Sequence, residues 1–139
     1  MKSLKILFGI ALITAIFALV SCGEGGVGGS STPGDVVKTM VGNIADGNYD
    51  AVIAITANSK GEDLSEDELA KMKAFLPEGK KEIDKKGGLK EVVIFEETIS
   101  EDGTTATVKA QLVYASGEKG SKSDTKLINV NGKWRIRIN

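Results

Sequence analysis

Apolar and polar positions divide this chain into an apolar leader, a glycine-rich joint and a region whose periodicity changes from helical to extended. Residues Ile6 to Val20 are almost unbroken apolar, with Lys2 and Lys5 before them and Ser21, Cys22 and a run of glycines after. From Thr32 the pattern becomes periodic. Val36, Val37, Met40, Val41 and Ile44 recur at helical spacing and predict a helix from Pro33 to about Asp46. Thr32 suits the N-cap, Pro33 the first helical position, and Asp35 the positive end of the helix dipole. Gly47 is a natural stop. Asn48 then caps a predicted short helix, about Tyr49 to Ala57, with Val52, Ile53 and Ile55 inward. After the polar stretch 58–63, Ser65 and Glu68 form a capping box, and Leu69, Met72, Phe75 and Leu76 follow at helical spacing. Pro77 is expected to end or kink this third helix, with a further turn or two over Glu78 to Lys86 before Gly87-Gly88.

From Leu89 the period falls to two. Leu89, Glu91, Val93, Phe95, Glu97 and Ile99 alternate with Lys90, Val92, Ile94, Glu96 and Thr98. Asp102-Gly103 signals a hairpin. The next strand sets Ala106, Val108, Ala110, Leu112 and Tyr114 on one face and Thr105, Thr107, Lys109, Gln111 and Val113 on the other. A loop around Gly117 to Gly120 leads to a third strand, about Ser121 to Val130. Asn131-Gly132 is the strongest turn signal, and the last strand alternates Trp134, Ile136 and Ile138 with Lys133, Arg135 and Arg137. Helices followed by a meander predict an α+β domain, with the helices covering the apolar face of a four-stranded antiparallel sheet.

Composition places the chain more than it explains it. Lys2 and Lys5, the apolar run and the small residue Ser21 have the layout of a secretory signal, and the run is short for a membrane span of about 20 residues. Cys22 is the only cysteine. Leu19-Val20-Ser21-Cys22 resembles the lipobox of bacterial lipoproteins, which implies cleavage between Ser21 and Cys22 and a lipid-bearing N-terminus at Cys22. The organisation is then a signal peptide over 1–21, a lipidated cysteine and glycine-rich tether over 22–31, and one domain over 32–139. Such a tether behaves as a flexible coil and spans roughly 17 Å on average. Without Lys2 and Lys5 the chain keeps 16 basic and 19 acidic residues, a net charge of −3. A charge so small makes nucleic acid an unsuitable partner. The implied location is the bacterial cell envelope, anchored to membrane through Cys22. Gly23 is not an acidic residue, which leans towards the outer membrane.

The order of elements also resembles a known family. Pro33-Gly34-Asp35-Val36-Val37 opens the first helix and Asp46-Gly47-Asn48-Tyr49-Asp50 joins it to the second. Asp102-Gly103-Thr104-Thr105-Ala106-Thr107-Val108 crosses a hairpin, and Asn131-Gly132-Lys133-Trp134-Arg135-Ile136 closes the chain. Together these are similar to small bacterial lipoproteins carrying the domain of unknown function 4878, in the nuclear transport factor 2-like, cystatin-like superfamily. The resemblance implies a strongly bent sheet wrapped around helices, a cone with an open end. In different members that cone is an enzyme pocket, a binding cavity or simply core. The resemblance implies a fold more than a function.

Candidate chemistry is sparse. There is no histidine, so the usual general base, the serine and cysteine triads and the commonest metal ligand are missing. Isomerases and dehydratases of the superfamily often rely on an acid with tyrosine partners, which makes Tyr49, Asp50, Glu91 and Tyr114 the candidates here. Tyr49 and Asp50 also suit a helix start, Tyr114 a core rim, and Glu91 a strand end. Asp63, Glu66, Asp67 and Glu68 lack calcium-loop spacing and suit a helix N-terminus, so neither a metal nor a cofactor is implied. Lys133, Arg135 and Arg137 form a basic stripe, a contact for an acidic partner or else a solvated face that protects an edge strand. Trp134 belongs to the buried alternation. Trp134, Phe75, Phe95 and Leu112 are the large groups available to fill the cone. The expected function is a non-catalytic binding or interaction domain with a protein partner or small ligand. Two alternatives stand beside it. One is a carrier or enzyme using the cone, with Tyr114 or Glu91 pointing inward. The other is a self-associating component that forms a homodimer through the sheet, which an exposed apolar patch around Val92, Ile94 and Val113 would favour.

Overall fold

The structure, a computed structural model, describes residues 31–139. The leader, Ser21, Cys22 and the glycine-rich segment up to Ser30 lie outside the described residues. Helices α1 (Pro33–Asp46) and α2 (Tyr49–Ala54), a two-residue strand β1 (Thr56–Ala57) and helix α3 (Glu66–Lys85) come first. Strands β2 (Leu89–Ile99), β3 (Thr105–Tyr114), β4 (Ser123–Val130) and β5 (Lys133–Arg137) follow. The strands form one sheet in the order β1-β5-β4-β3-β2, antiparallel except for β1 against β5.

Helix α1 is set by its ends. Thr32 Oγ1 accepts from the Asp35 amide at 3.2 Å, and Asp35 Oδ2 accepts from the Thr32 amide at 3.2 Å, closing a capping box. Gly47, at φ 76°, ends the helix in the left-handed conformation that a glycine adopts without strain. The predicted capping box of α3 is present as well, with Ser65 Oγ accepting from the Glu68 amide.

The fifth strand corrects the four-stranded expectation. Helix α2 stops at Ala54, three residues before its predicted end. The carbonyls of Ile55 and Ala57 then accept from the amides of Ile136 at 2.8 Å and Ile138 at 3.0 Å. The free edge of β5 supplies donors that would otherwise go unpaired, and Thr56, a β-branched residue, favours extended backbone. Buried Thr56 satisfies its own hydroxyl by donating to the Val52 carbonyl at 2.7 Å.

Pro77 neither ends nor divides α3, which is continuous through it. Leu76 and Ile83, seven residues apart on one face, are 3% and 4% exposed. Their burial on either side offsets the loss of one amide, a penalty of about 3 kcal/mol in a helix interior. Gly79 faces α1, where a Cβ would make an ordinary contact with Ile44 at 3.5 Å.

The core lies between α1 and one face of the sheet. Val36, Val37 and Val41 pack with Val92, Ala106, Val108, Ala110, Leu127 and Ile136, and Met40, Ile94, Leu112 and Trp134 close around them. Trp134 and Leu112 therefore join the core as expected. Phe75 and Phe95 do not: they are 75% and 47% exposed. For Phe75 the reason is helical phase, because Leu76 takes the inward position. For Phe95 it is a bulge. The pairs Ile94↔Ala110 and Glu96↔Lys109 leave Phe95 unmatched, and the register then resumes at Glu97↔Val108. An earlier irregularity turns Val92 and Ile94: Leu89↔Tyr114 and Glu91↔Val113 leave Lys90 unmatched, so Val92 and Ile94, opposite Leu112 and Ala110, face the core rather than their expected side, and an outer apolar patch containing them does not exist.

Candidate functional site

The sheet has two faces with different fates. The helix-side face is filled by α1, and the small residues Ala106, Val108 and Ala110 let the helix lie against β3. The outer face carries Glu91, Glu96 and Thr98 from β2, Thr107, Lys109 and Val113 from β3, Asp124 and Lys126 from β4, and the β5 basic residues. Those assignments follow from the observed register and the pleat.

The residues expected to form a polar constellation are separated. Tyr114 pairs with Leu89 on the buried side and is 7% exposed. Gly120 packs on it, and a Cβ there would stand 3.2 Å from the phenol oxygen. Lys86 Nζ lies 4.8 Å from the ring centre and is ion-paired to Glu118 at 2.6 Å. Donating that hydrogen bond to the Glu118 carboxylate raises the pKa of the Lys86 ammonium above its ordinary value. Glu91 pairs with Val113 and is exposed on the outer face, so it does not point into the core. Asp50 is exposed and Tyr49 half-buried at the start of α2. Among the described residues no hydrogen bond joins any two of Tyr49, Asp50, Glu91 and Tyr114. The acidic cluster is likewise used locally: Glu68 closes its cap, and Asp63 pairs with Arg135 at 2.9 Å. Among the described residues no group of three or more acidic side chains converges as a metal site.

The basic stripe is not one surface. Arg135 donates to the Thr56 carbonyl at 2.6 Å and to Asp63 Oδ1 at 2.9 Å. It ties β1 and the following loop to β5. That loop lies on the sheet, where a Cβ on Gly61 would meet Val130 at 3.0 Å and Ile128 at 3.3 Å. Arg137 is half-buried and its Nε is enclosed without a partner. Lys133 alone of the three is exposed.

Sequence reasoning missed the feature in the middle of the outer face. A shallow depression of about 90 Å³ is lined by Glu96, Thr98, Thr107, Lys109 and Asp124. Thr98 faces Thr107 across one strand pair, and Lys109 lies between Glu96 and Asp124 in register. Lys109 Nζ is 4.0 Å from Glu96 Oε2. Lys122 Nζ lies 4.0 Å from the centre of the exposed ring of Phe95, the residue before Glu96. The bulge creates this grouping by keeping both Phe95 and Glu96 on the outer side. The one sequence signal for it is Glu96-Glu97, where two adjacent acids interrupt the alternation.

Comparison with known proteins agrees with the architecture. The chain is similar to the crystal structure titled "Putative NTF2-like transpeptidase" from Campylobacter jejuni, with a TM-score of 0.65 and 20% identity, over 78% of this chain and 100% of the other. It is also similar to the solution structure of a SEC-C motif containing protein from Rhodopseudomonas palustris, with a TM-score of 0.51 and 13% identity, over 78% and 77% of the two chains. At these identities the likeness is one of fold, and the fold is nuclear transport factor 2-like. No curated protein matches the chain. The profile of DUF4878, a domain of unknown function, matches residues 20–137, and the chain belongs to that family.

Proposed function

We propose that this protein is a lipid-anchored component of the bacterial cell envelope whose domain is a non-catalytic binding module, with the outer face of the sheet as its contact surface. One observation carries the choice of surface: the helix-side face is packed with Val36, Val37, Val41, Val108, Leu127 and Ile136, whereas polar groups and an exposed aromatic stand on the outer side. A ligand inside the cone would have to displace that core. The anchor is supported by Lys2, Lys5, the apolar run and the Ser21-Cys22 junction, with the glycine-rich segment as tether. Among the described residues no helix is long and apolar enough to cross a membrane.

The non-catalytic reading is supported by the chain's lack of histidine and by the separation of Glu91 from Tyr114. Replacing Cys22 by Ser tests the anchor. The expected outcome is loss of membrane association with accumulation of unprocessed chain. Normal processing and membrane retention of the variant would refute lipidation at Cys22. Replacing Thr107 by Glu at the centre of the outer face tests the surface, and partner capture unaffected by that change would count against it.

A further inference from the structure

We infer that the outer-face depression binds a neutral, polyhydroxylated ligand of the glycan class, with Phe95 as the stacking platform and Glu96, Thr98, Thr107, Lys109 and Asp124 as hydrogen-bonding groups. This rests on the outer face being the contact surface.

Three properties of the site select that chemistry. The first is its charge. The depression holds Glu96, Asp124 and Lys109, with Lys126 opposite Thr107 and Lys122 against Phe95, so both signs are interspersed and no single-sign field favours a polyanion or a polycation. The second is its mixture of groups. Carboxylates only accept hydrogen bonds, the ammonium only donates, and the two threonine hydroxyls do both, which complements a ligand whose hydroxyls also do both. The third is shape. Phe95 immediately precedes Glu96 in β2 and is 47% exposed, and an aromatic face provides apolar contact for the C–H face of a sugar ring. Lys122 rests against that ring, but it is an exposed side chain on a flexible stem, and such contacts are weak enough to yield.

Size sets the mode of binding. A depression of about 90 Å³ is well below the ~300–1,000 Å³ of sites that enclose a small molecule. The ligand therefore lies across the sheet, with one residue seated and neighbouring residues crossing the strands. A polymer meets that requirement where a free monosaccharide does not.

The test is retention of the full chain on insoluble chitin, a neutral polymer, compared with polygalacturonate as polyanion and chitosan as polycation. Phe95→Ala and Thr107→Glu are the variants, with circular dichroism and thermal melting to verify their folding. The expected result is retention on chitin, release by soluble chitotetraose, and at least a fivefold loss in Phe95→Ala at unchanged melting temperature. Retention on a charged polymer alone, sensitive to Phe95, would overturn the ligand class and leave the outer-face surface standing. Retention on none of the three would also overturn the ligand class. Retention indifferent to both variants would overturn the ligand and the surface together.

Discussion

The amide of Gly34 donates a 2.6 Å hydrogen bond to Glu97 Oε1, so a carboxylate from β2 completes the N-terminus of α1 from 63 residues away. The first turn is then fully accounted for. Pro33 has no amide hydrogen, Asp35 donates to Thr32 Oγ1, and Val36 donates to the Thr32 carbonyl. At the other end α1 has no basic residue in its last turn, and Lys80 of α3 donates to the Ala45 carbonyl at 3.1 Å. Both poles of the helix dipole therefore meet a charge of the right sign from another element.

Glu97→Ala leaves the buried Gly34 amide without its partner and is expected to destabilise by about 1–3 kcal/mol. Glu97→Gln keeps an acceptor and is expected to lose only about 0.3–1 kcal/mol. Gly34→Ala brings a Cβ to 3.1 Å from the Glu97 carboxyl and should fall between them. Thermal melting separates the three, since each kcal/mol moves Tm by roughly 4–8 °C in a domain of this size. Equal melting temperatures for Glu97→Ala and the parent chain would show that the bond adds nothing.

Arg135 is expected to be structural. Arg135→Ala removes two charge-assisted bonds and frees the Thr56 carbonyl, which should cost about 1.5–3 kcal/mol. Asp63→Ala breaks a pair whose acid is 92% exposed and should cost under about 1 kcal/mol. Hydrogen exchange provides a local readout: the Ile138 amide, bonded to Ala57, should lose protection in Arg135→Ala. Unchanged protection there would return Arg135 to the solvated face.

The phase of α3 around Pro77 predicts opposite outcomes for adjacent residues. Leu76→Ala should destabilise by about 2–5 kcal/mol. Phe75→Ser should stay within about 0.5 kcal/mol. Urea unfolding of both variants is decisive, because a helix divided at Pro77 would have no reason to keep that contrast.

The Asp102 turn gives a pH dependence. The Ser100 hydroxyl, then the Thr104 hydroxyl and amide, donate to Asp102 and hold its carboxyl below the usual 3.8. Bonds from the Ser65 amide and hydroxyl likewise hold Glu68 below 4.5. A carboxyl lowered by folding stabilises fully above its ordinary value and loses that contribution as pH falls through it to the lowered one. Urea midpoints measured at about pH 6 and about pH 3 should therefore fall more steeply for the parent chain than for Asp102→Asn.

Local chemistry alone was sufficient for most of the elements. The ends of α1, the start of α3, the hairpins at Asp102-Gly103 and Asn131-Gly132, and the α+β order all follow from side chains acting on nearby backbone, and Asn131 at φ 53° with Gly132 at φ 83° is the turn its dipeptide requires. Alternation also placed Val108, Leu112, Trp134 and Ile136 correctly, because each strand has one wet face. What local chemistry could not decide was everything that depends on a distant partner. Thr56-Ala57 is a strand only because β5 offers a free edge, and α3 passes through Pro77 because Leu76 and Ile83 are buried on either side of it. The side on which Val92 and Ile94 stand depends on unmatched Lys90, and that of Phe95 and Glu97 on the bulge at Phe95, in a register that sequence periodicity does not reveal. The depression on the outer face is a product of that bulge. Its residues come from three strands, and only the packed sheet brings them together.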